Sequence, residues 1–173
     1  MHEDKLIRKA KQGDADAVEE LIAIYYPEIL KYCFWHVPNH SLAEDATQET
    51  FLKAIRYMDT YTHKRKFKAF LYKIASNTCI DMRRKKYTQE TSIEEDLLYM
   101  ESGFKEIEED MQLRYLVKNL KAEWQEIIIL RFAQNLTMRE IASILDIPLR
   151  TVQSRLRAAL KQLKSELEKG EKR

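Results

Sequence analysis

From Gly13 to Gly103 the chain contains no other glycine. Glycine reaches positive φ without steric penalty, so it marks tight turns and places where backbone must come close to a phosphate. A P-loop or a dinucleotide-binding turn in this stretch is therefore excluded. Multi-strand β architectures need turn residues roughly every 8–12 positions. Three glycines and three prolines in 173 residues cannot supply them. A hydrophobic fraction of 45% is enough to bury a core even beside a charged fraction of 34%, which argues against a disordered chain. An all-α protein is what these constraints leave, and its length suits one large domain or two small ones.

The two cysteines, Cys33 and Cys79, make no disulfide framework and no CxxC pair for zinc. The N-terminal stretch MHEDKLIRKAKQGD is charged where a signal peptide needs an apolar centre. No run approaches the ~18 apolar residues of a membrane span. A cytoplasmic, reducing setting is expected.

A net charge of +2 conceals segregation along the chain. Residues 1–52 carry 5 Lys/Arg against 10 Asp/Glu, and residues 53–87 carry 11 against 2. Residues 88–110 carry 1 against 9, and residues 111–173 carry 13 against 7. Two basic segments separated by an acidic one suit two surfaces for a polyanion joined by a segment that avoids it. Solvated helix faces are the plain alternative.

Periodicity divides the chain into helices. A short one is expected from Asp4 to Gln12, closed by Gly13, with Asp14 capping the next. From Ala15 the positions Val18, Leu21, Ile22, Tyr25, Ile29, Tyr32 and Cys33 keep helical spacing, with Pro27 as a kink or break. After Pro38, the sequence Ser41-Leu-Ala-Glu44 has the form of a capping box. The helix it opens places Ala46, Phe51, Ile55 and Met58 inward. A loop at 59–66 precedes a long helix at 66–86. Residues 88–110 read as a linker, with transient helix around 97–100. Helices at about 110–120, 122–133, 138–145 and 148–168 follow. The expected architecture is two small helical domains, 1–87 and 110–173, joined by an acidic linker at 88–109.

The segment from Leu136 to Leu156 has the features of a helix-turn-helix. Thr137 and Glu140 form a capping box, and Ala142 is small where a second helix must cross closely. Asp146 sits at the turn, where it tolerates left-handed backbone, and Pro148 suits the start of the next helix. Ile141, Leu145, Ile147, Val152 and Leu156 are the expected core. Arg150, Thr151, Gln153, Ser154, Arg157 and Lys161 are left outward, where a recognition helix meets base edges and phosphates. An ordinary helical hairpin with a polar face is the alternative.

In the long central helix, at ~100° per residue, Lys66, Lys73, Asn77 and Arg84 share a stripe about 40° wide. Phe67, Leu71, Ile74 and Thr78 define an apolar face beside it, and Phe70 lies between. A polar stripe bordered by an aromatic, after a loop carrying Tyr57, Tyr61 and Lys64, suits unstacked bases as well as phosphates.

The segment from Phe67 to Arg84, Phe-Lys-Ala-Phe-Leu-Tyr-Lys-Ile-Ala-Ser-Asn-Thr-Cys-Ile-Asp-Met-Arg-Arg, closely resembles the promoter −10 helix of extracytoplasmic function (ECF) sigma factors. Ala43 to Leu52 is similar to the preceding helix of that family, and the helix-turn-helix resembles its −35-reading domain. The resemblance covers nearly the whole chain in the right order. It implies an initiation subunit of a stress response rather than an enzyme, with core RNA polymerase and promoter DNA as partners. Asp45, Gln48, Glu49 and Leu52 would contact the β′ clamp helices, and the helix-turn-helix domain would meet the β flap. Tyr57, Tyr61, Lys64, Lys66, Phe70, Lys73, Asn77 and Arg84 would meet the −10 element, with the loop capturing a flipped base. Arg150, Thr151, Gln153, Ser154, Arg157 and Lys161 would read the −35 element. The family also implies an anti-sigma factor, often membrane-anchored, and neither cofactor nor small-molecule substrate.

Two departures from the family pattern stand out. Phe70 occupies a position that is usually Trp, and Ala158 and Leu160 occupy positions that are usually basic. Outside these motifs, Cys33, His36 and His40 are spaced as metal ligands could be, but Pro38 interrupts them and no fourth ligand is evident. Core packing with surface histidines is the expected reading, with Cys79 a small residue beside the core. The rival for the whole chain is a stand-alone helix-turn-helix regulator with an N-terminal sensing or dimerisation domain.

Overall fold

The computed structural model describes residues 2–62, 65–88 and 113–172, with side chains through Lys85 in the second of these stretches. The linker and its expected transient helix, as well as Lys64, lie outside the described residues. Every regular element among those described is helical. The chain divides into two compact units, Met1–Ser92 and Ile93–Arg173.

The first unit contains α1 (His2–Lys11), α2 (Ala15–His36), α3 (His40–Arg56), a single 3-10 turn (Met58–Thr60) and α4 (Phe67–Thr88). Gly13, at φ 85°, ends α1 in left-handed backbone, and the Asp14 side chain accepts from the Ala17 amide at 3.1 Å to open α2. Pro27 neither breaks nor splits α2, which runs continuously through it. Pro27 and Ala23, four residues before it, are both exposed, so water can take the carbonyl that loses its amide partner. α3 is capped by Asn39 rather than Ser41, with Asn39 Oδ1 accepting from the Leu42 amide at 2.8 Å. Asn and Ser cap equally well, and the earlier start adds helical residues for the same capping bond.

α2, α3 and α4 pack against one another, with α1 laid on α2. The core they enclose includes Leu21, Ile29, Tyr32, Phe51, Phe67, Leu71 and Tyr72. Thr47 and Thr50 are fully buried on α3, where each hydroxyl donates to the carbonyl four residues back, at 2.7 and 2.6 Å. That bond lets a hydroxyl enter an apolar core without losing its partner. Cys33 and Cys79 are buried in the same core as expected, their thiols hydrogen-bonded to each other. The side-chain hydrogen bonds with Cys79 and, to a smaller extent, Thr47 lower the Cys33 pKa against the opposing effect of burial. Ile55, expected inward, is 42% exposed, because it follows Leu52 by one helical turn on the outer side of α3.

In the second unit, residues 113–118 are helical (α5), followed by α6 (Ala122–Ile128), α7 (Met138–Leu145) and α8 (Leu149–Glu171). α6 does not continue to residue 133 as an ordinary helix. It widens into a π-turn over Ile129–Ala133. Ile127, Ile128, Ile129 and Leu130 are all buried, and four consecutive positions nearly encircle an α-helix. A widened turn shifts the register of the side chains where one stripe cannot bury them all. Asn135, at φ 54°, then reverses the chain, and Arg131 donates to the Leu136 carbonyl at 2.9 Å. α8 packs on both α6 and α7.

Candidate nucleic-acid interface

α4 buries Phe67, Leu71, Tyr72, Ala75, Thr78 and Cys79 against the helices of its unit. The opposite side carries Lys66, which leads into the helix, then Lys73, Asn77 and Arg84, all exposed as the periodicity requires. Phe70 is half-buried at the border, its ring 5.8 Å from Phe67 and 5.2 Å from Tyr61. Tyr57 is 47% exposed at the end of α3. The basic stripe and one aromatic thus reach solvent together.

Tyr61 is placed differently from the expectation. It is only 7% exposed, and its hydroxyl accepts from the Lys66 amide at 3.0 Å. Its ring meets Phe67 edge-on at 5.6 Å, and Phe67 in turn meets Tyr25 edge-on at 5.5 Å. Burial holds the Tyr61 hydroxyl above its usual pKa, partly offset by the bond from Lys66. Tyr61 shapes the loop from beneath instead of presenting its face to a ligand. A tyrosine has apolar area enough to anchor a loop whenever its hydroxyl finds a donor, which spacing alone does not reveal.

On α3, Asp45 and Gln48 are exposed and Glu49 is half-buried. Leu52 is 59% exposed and is joined on the outer face by Ile55. The i, i+3 spacing of Leu52 and Ile55 was the signal available for this apolar strip. Between α3 and α4 runs a groove of about 440 Å³ lined by Glu49, Lys53, Thr78, Asp81, Met82, Arg84 and Lys85. Lys53 spans it, 3.4 Å from Thr78 Oγ1 and 3.9 Å from Asp81. Glu49 and Arg84, expected to serve different partners, therefore line one groove.

The helix-turn-helix forms as its local signals dictate. Thr137 Oγ1 accepts from the Glu140 amide at 3.2 Å while Glu140 accepts from the Thr137 amide at 2.8 Å. Asp146 ends α7 at φ 54°, ψ 47°, in left-handed backbone, and Pro148 caps α8. Val152, Leu156, Ala159 and Leu163 are buried along α8. Leu145 and Ile147, expected in the core, are half-buried, and Ile144 takes the inner place. The reversal at Asp146 turns the chain away just where they stand. Arg150, Ser154, Arg157 and Lys161 are exposed, while Thr151 and Gln153 are half-buried. Ala158 is half-buried and Leu160 is 41% exposed. Arg155 is used internally, 3.1 Å from Glu123 of α6.

Residues 21–88 match the family model described as Sigma-70 region 2, and residues 110–163 match that of Sigma-70 region 4. The ECF RNA polymerase sigma factor SigW of Bacillus subtilis is 30% identical, over 94% of this chain and 95% of that protein. The chain belongs to the ECF family of RNA polymerase sigma factors. Solved sigma factor structures share the fold at lower identity. CnrH, in complex with the cytosolic domain of CnrY, superposes with a TM-score of 0.76 at 20% identity, covering 94% of this chain and 95% of that one. The sigma factor RpoE of Bartonella quintana, in complex with the anti-sigma factor NepR, gives 0.66 at 22% identity, covering 87% and 96%.

In this sigma factor the region 2 match spans most of α2 and all of α3 and α4, while the region 4 match spans α6 and α7 and most of α8. α1 precedes the region 2 match. No helix among the described residues is long and apolar enough to cross a membrane.

Proposed function

We propose that this sigma factor directs core RNA polymerase to its promoters through three surfaces and performs no covalent step of its own. Residues 1–87 act as the core-binding and −10 domain, 88–109 as an acidic linker, and 110–173 as the −35 domain and the contact for the β flap. Asp45, Gln48, Glu49 and Leu52 face the β′ clamp helices, with Ile55 extending the apolar part. The observation that carries this reading is α3 itself. Its inner face is closed by Ala43, Ala46, Thr47, Thr50 and Phe51, so the acidic and apolar outer face is free of any role in the core of this unit.

On α4, Lys73, Asn77 and Arg84 hold the opening strands, while Tyr57, Lys64, Lys66 and Phe70 line the place where a base is captured. Unstacking a base costs a few kcal/mol, which contacts to the splayed base and strand offset. On α8, Arg150, Thr151, Gln153, Ser154, Arg157 and Lys161 read or hold the −35 duplex. Partnership with polymerase puts the chain in the cytoplasm. An anti-sigma factor, like the NepR of the Bartonella complex, restrains it. An independent helix-turn-helix regulator is not favoured, because both sigma-70 regions occur here in one chain and in order.

The test is a double charge reversal. Asp45→Arg with Glu49→Arg should leave the helical content unchanged and abolish co-purification with core polymerase, because like charges would then meet at the interface. Normal core binding by the folded double variant would remove α3 from the polymerase interface.

A further inference from the structure

α1 lies outside the region 2 match, yet it reaches the loop that precedes α4. Lys11, its last residue, donates through Nζ to the Tyr61 backbone carbonyl. The same ammonium lies 5.7 Å from the centroid of the Tyr61 ring, a cation–π distance. At the other end of the loop the Tyr61 hydroxyl accepts from the Lys66 amide. Between these ties stands Arg65, at φ 64°. A non-glycine residue holds left-handed backbone only where its surroundings enforce it. α1 is itself fixed to α2, by His2 on Glu20 at 2.8 Å and by the bond between Glu3 and the Tyr25 hydroxyl. Tyr61, where the loop begins, is thus secured to a helix that is secured to the core.

We propose that Lys11 is a positioning residue for base capture: its bond to the Tyr61 carbonyl, with its charge over the Tyr61 ring, holds Tyr61 against Phe70 and the Lys66 amide, the residues beside which an unstacked base of the −10 strand is received. The proposal rests on the loop being the base-capturing element. It adds to that reading a residue from a helix that precedes the region 2 match. Pre-organisation of this kind raises affinity by removing the ordering penalty from the binding step. Lys11 itself touches no DNA.

The experiment uses the full chain bound to core polymerase. The probe is a single-stranded non-template oligonucleotide covering the −10 element of a promoter mapped by run-off transcription, together with versions abasic at each position in turn. Lys11→Met keeps the apolar stem and removes the donor and the charge. It should weaken binding of the intact oligonucleotide about five- to tenfold, within the net contribution of one intramolecular hydrogen bond. Lys11→Arg should restore it. On the oligonucleotide abasic at the captured position, Lys11→Met and the natural protein should bind equally, because the shape of the loop no longer matters there. Affinity for core polymerase and for the −35 duplex should not change.

Undiminished binding of the intact oligonucleotide by Lys11→Met would overturn the proposal. So would an equal loss on the intact and abasic probes, which would mean a general charge effect, or failure of Lys11→Arg to restore binding. Tyr57→Ala is measured in parallel. If it weakens the intact probe while Lys11→Met does not, only the positioning role falls. If neither variant matters and no abasic position matters, the loop is not the base-capturing element and both readings fall.

Discussion

The two surfaces assigned to DNA are built over different distances along the chain. The helix-turn-helix takes its shape from neighbours: Thr137 and Glu140 cap one helix, Asp146 reverses the backbone, and Pro148 opens the next. The surface around α4 depends on partners far apart in sequence, such as Lys11 and Tyr61, which are separated by 50 positions. Short-range design gives a rigid helix presented to a regular duplex groove, whose geometry varies little from site to site. Long-range design gives a loop whose anchor, Tyr61, is held by two helices at once. That suits a target which must first be taken out of a stack. The difference teaches that the surface proposed for melting is coupled to the packing of its whole unit, whereas the surface proposed for −35 reading answers chiefly to its own caps.

The largest test of this contrast is Phe67→Ala. Phe67 is 2% exposed and is in ring contact with Tyr25, Tyr61 and Phe70. Truncation should destabilise the first unit by about 3–5 kcal/mol, read as an earlier urea transition. The transition of the second unit should keep its midpoint. Loss of both together would break the comparison.

A smaller effect separates the two readouts. Lys73→Ala with Asn77→Ala should reduce transcription from duplex promoters by about tenfold or more, as expected for losing two polar contacts of ~0.5–1.5 kcal/mol each. A template pre-melted at −10 should restore it. Gln153→Ala with Arg157→Ala should lower transcription through upstream binding, and the pre-melted template should not rescue it. Rescue of the second pair and not the first would mean the two roles are reversed.

The same contrast explains what could be read from the sequence. The capping box, the left-handed Asp146 and the stripe of Lys73, Asn77 and Arg84 were legible because each depends on spacing within a few helical turns. The burial of Tyr61 was not, since the Lys66 amide, Phe67, Phe70 and Lys11 reach it only after the helices have packed. Ile55 was misplaced for a related reason. Periodicity identifies an apolar residue, but only packing decides whether it faces the core or is left for a partner. The π-turn at Ile129–Ala133 was hidden because four consecutive apolar residues look like an ordinary buried helix until their neighbours are known.

Thr137→Ala sharpens the local side of the comparison. It removes one capping acceptor and should cost about 1 kcal/mol, confined to the second unit in a urea titration. A smaller effect is expected at Tyr25, whose hydroxyl is pushed above its usual pKa by burial and then by Glu3. A raised folded pKa means that the contribution is fully present below the unfolded value of about 10 and fades as pH rises toward the folded one. Stability of the first unit should therefore decline above about pH 10, and Tyr25→Phe should make that decline shallower. Equal slopes in the two proteins would show that Tyr25 and Glu3 do not fix α1 to α2.

Run-off transcription with purified core polymerase and genomic promoter fragments tests the central claim most directly. The account predicts discrete transcripts that require both the chain and the core enzyme, from fragments sharing an asymmetric pair of elements near −35 and −10. Failure to yield any transcript with core polymerase, together with tight binding of symmetric duplex half-sites by a dimer of the chain alone, would contradict it.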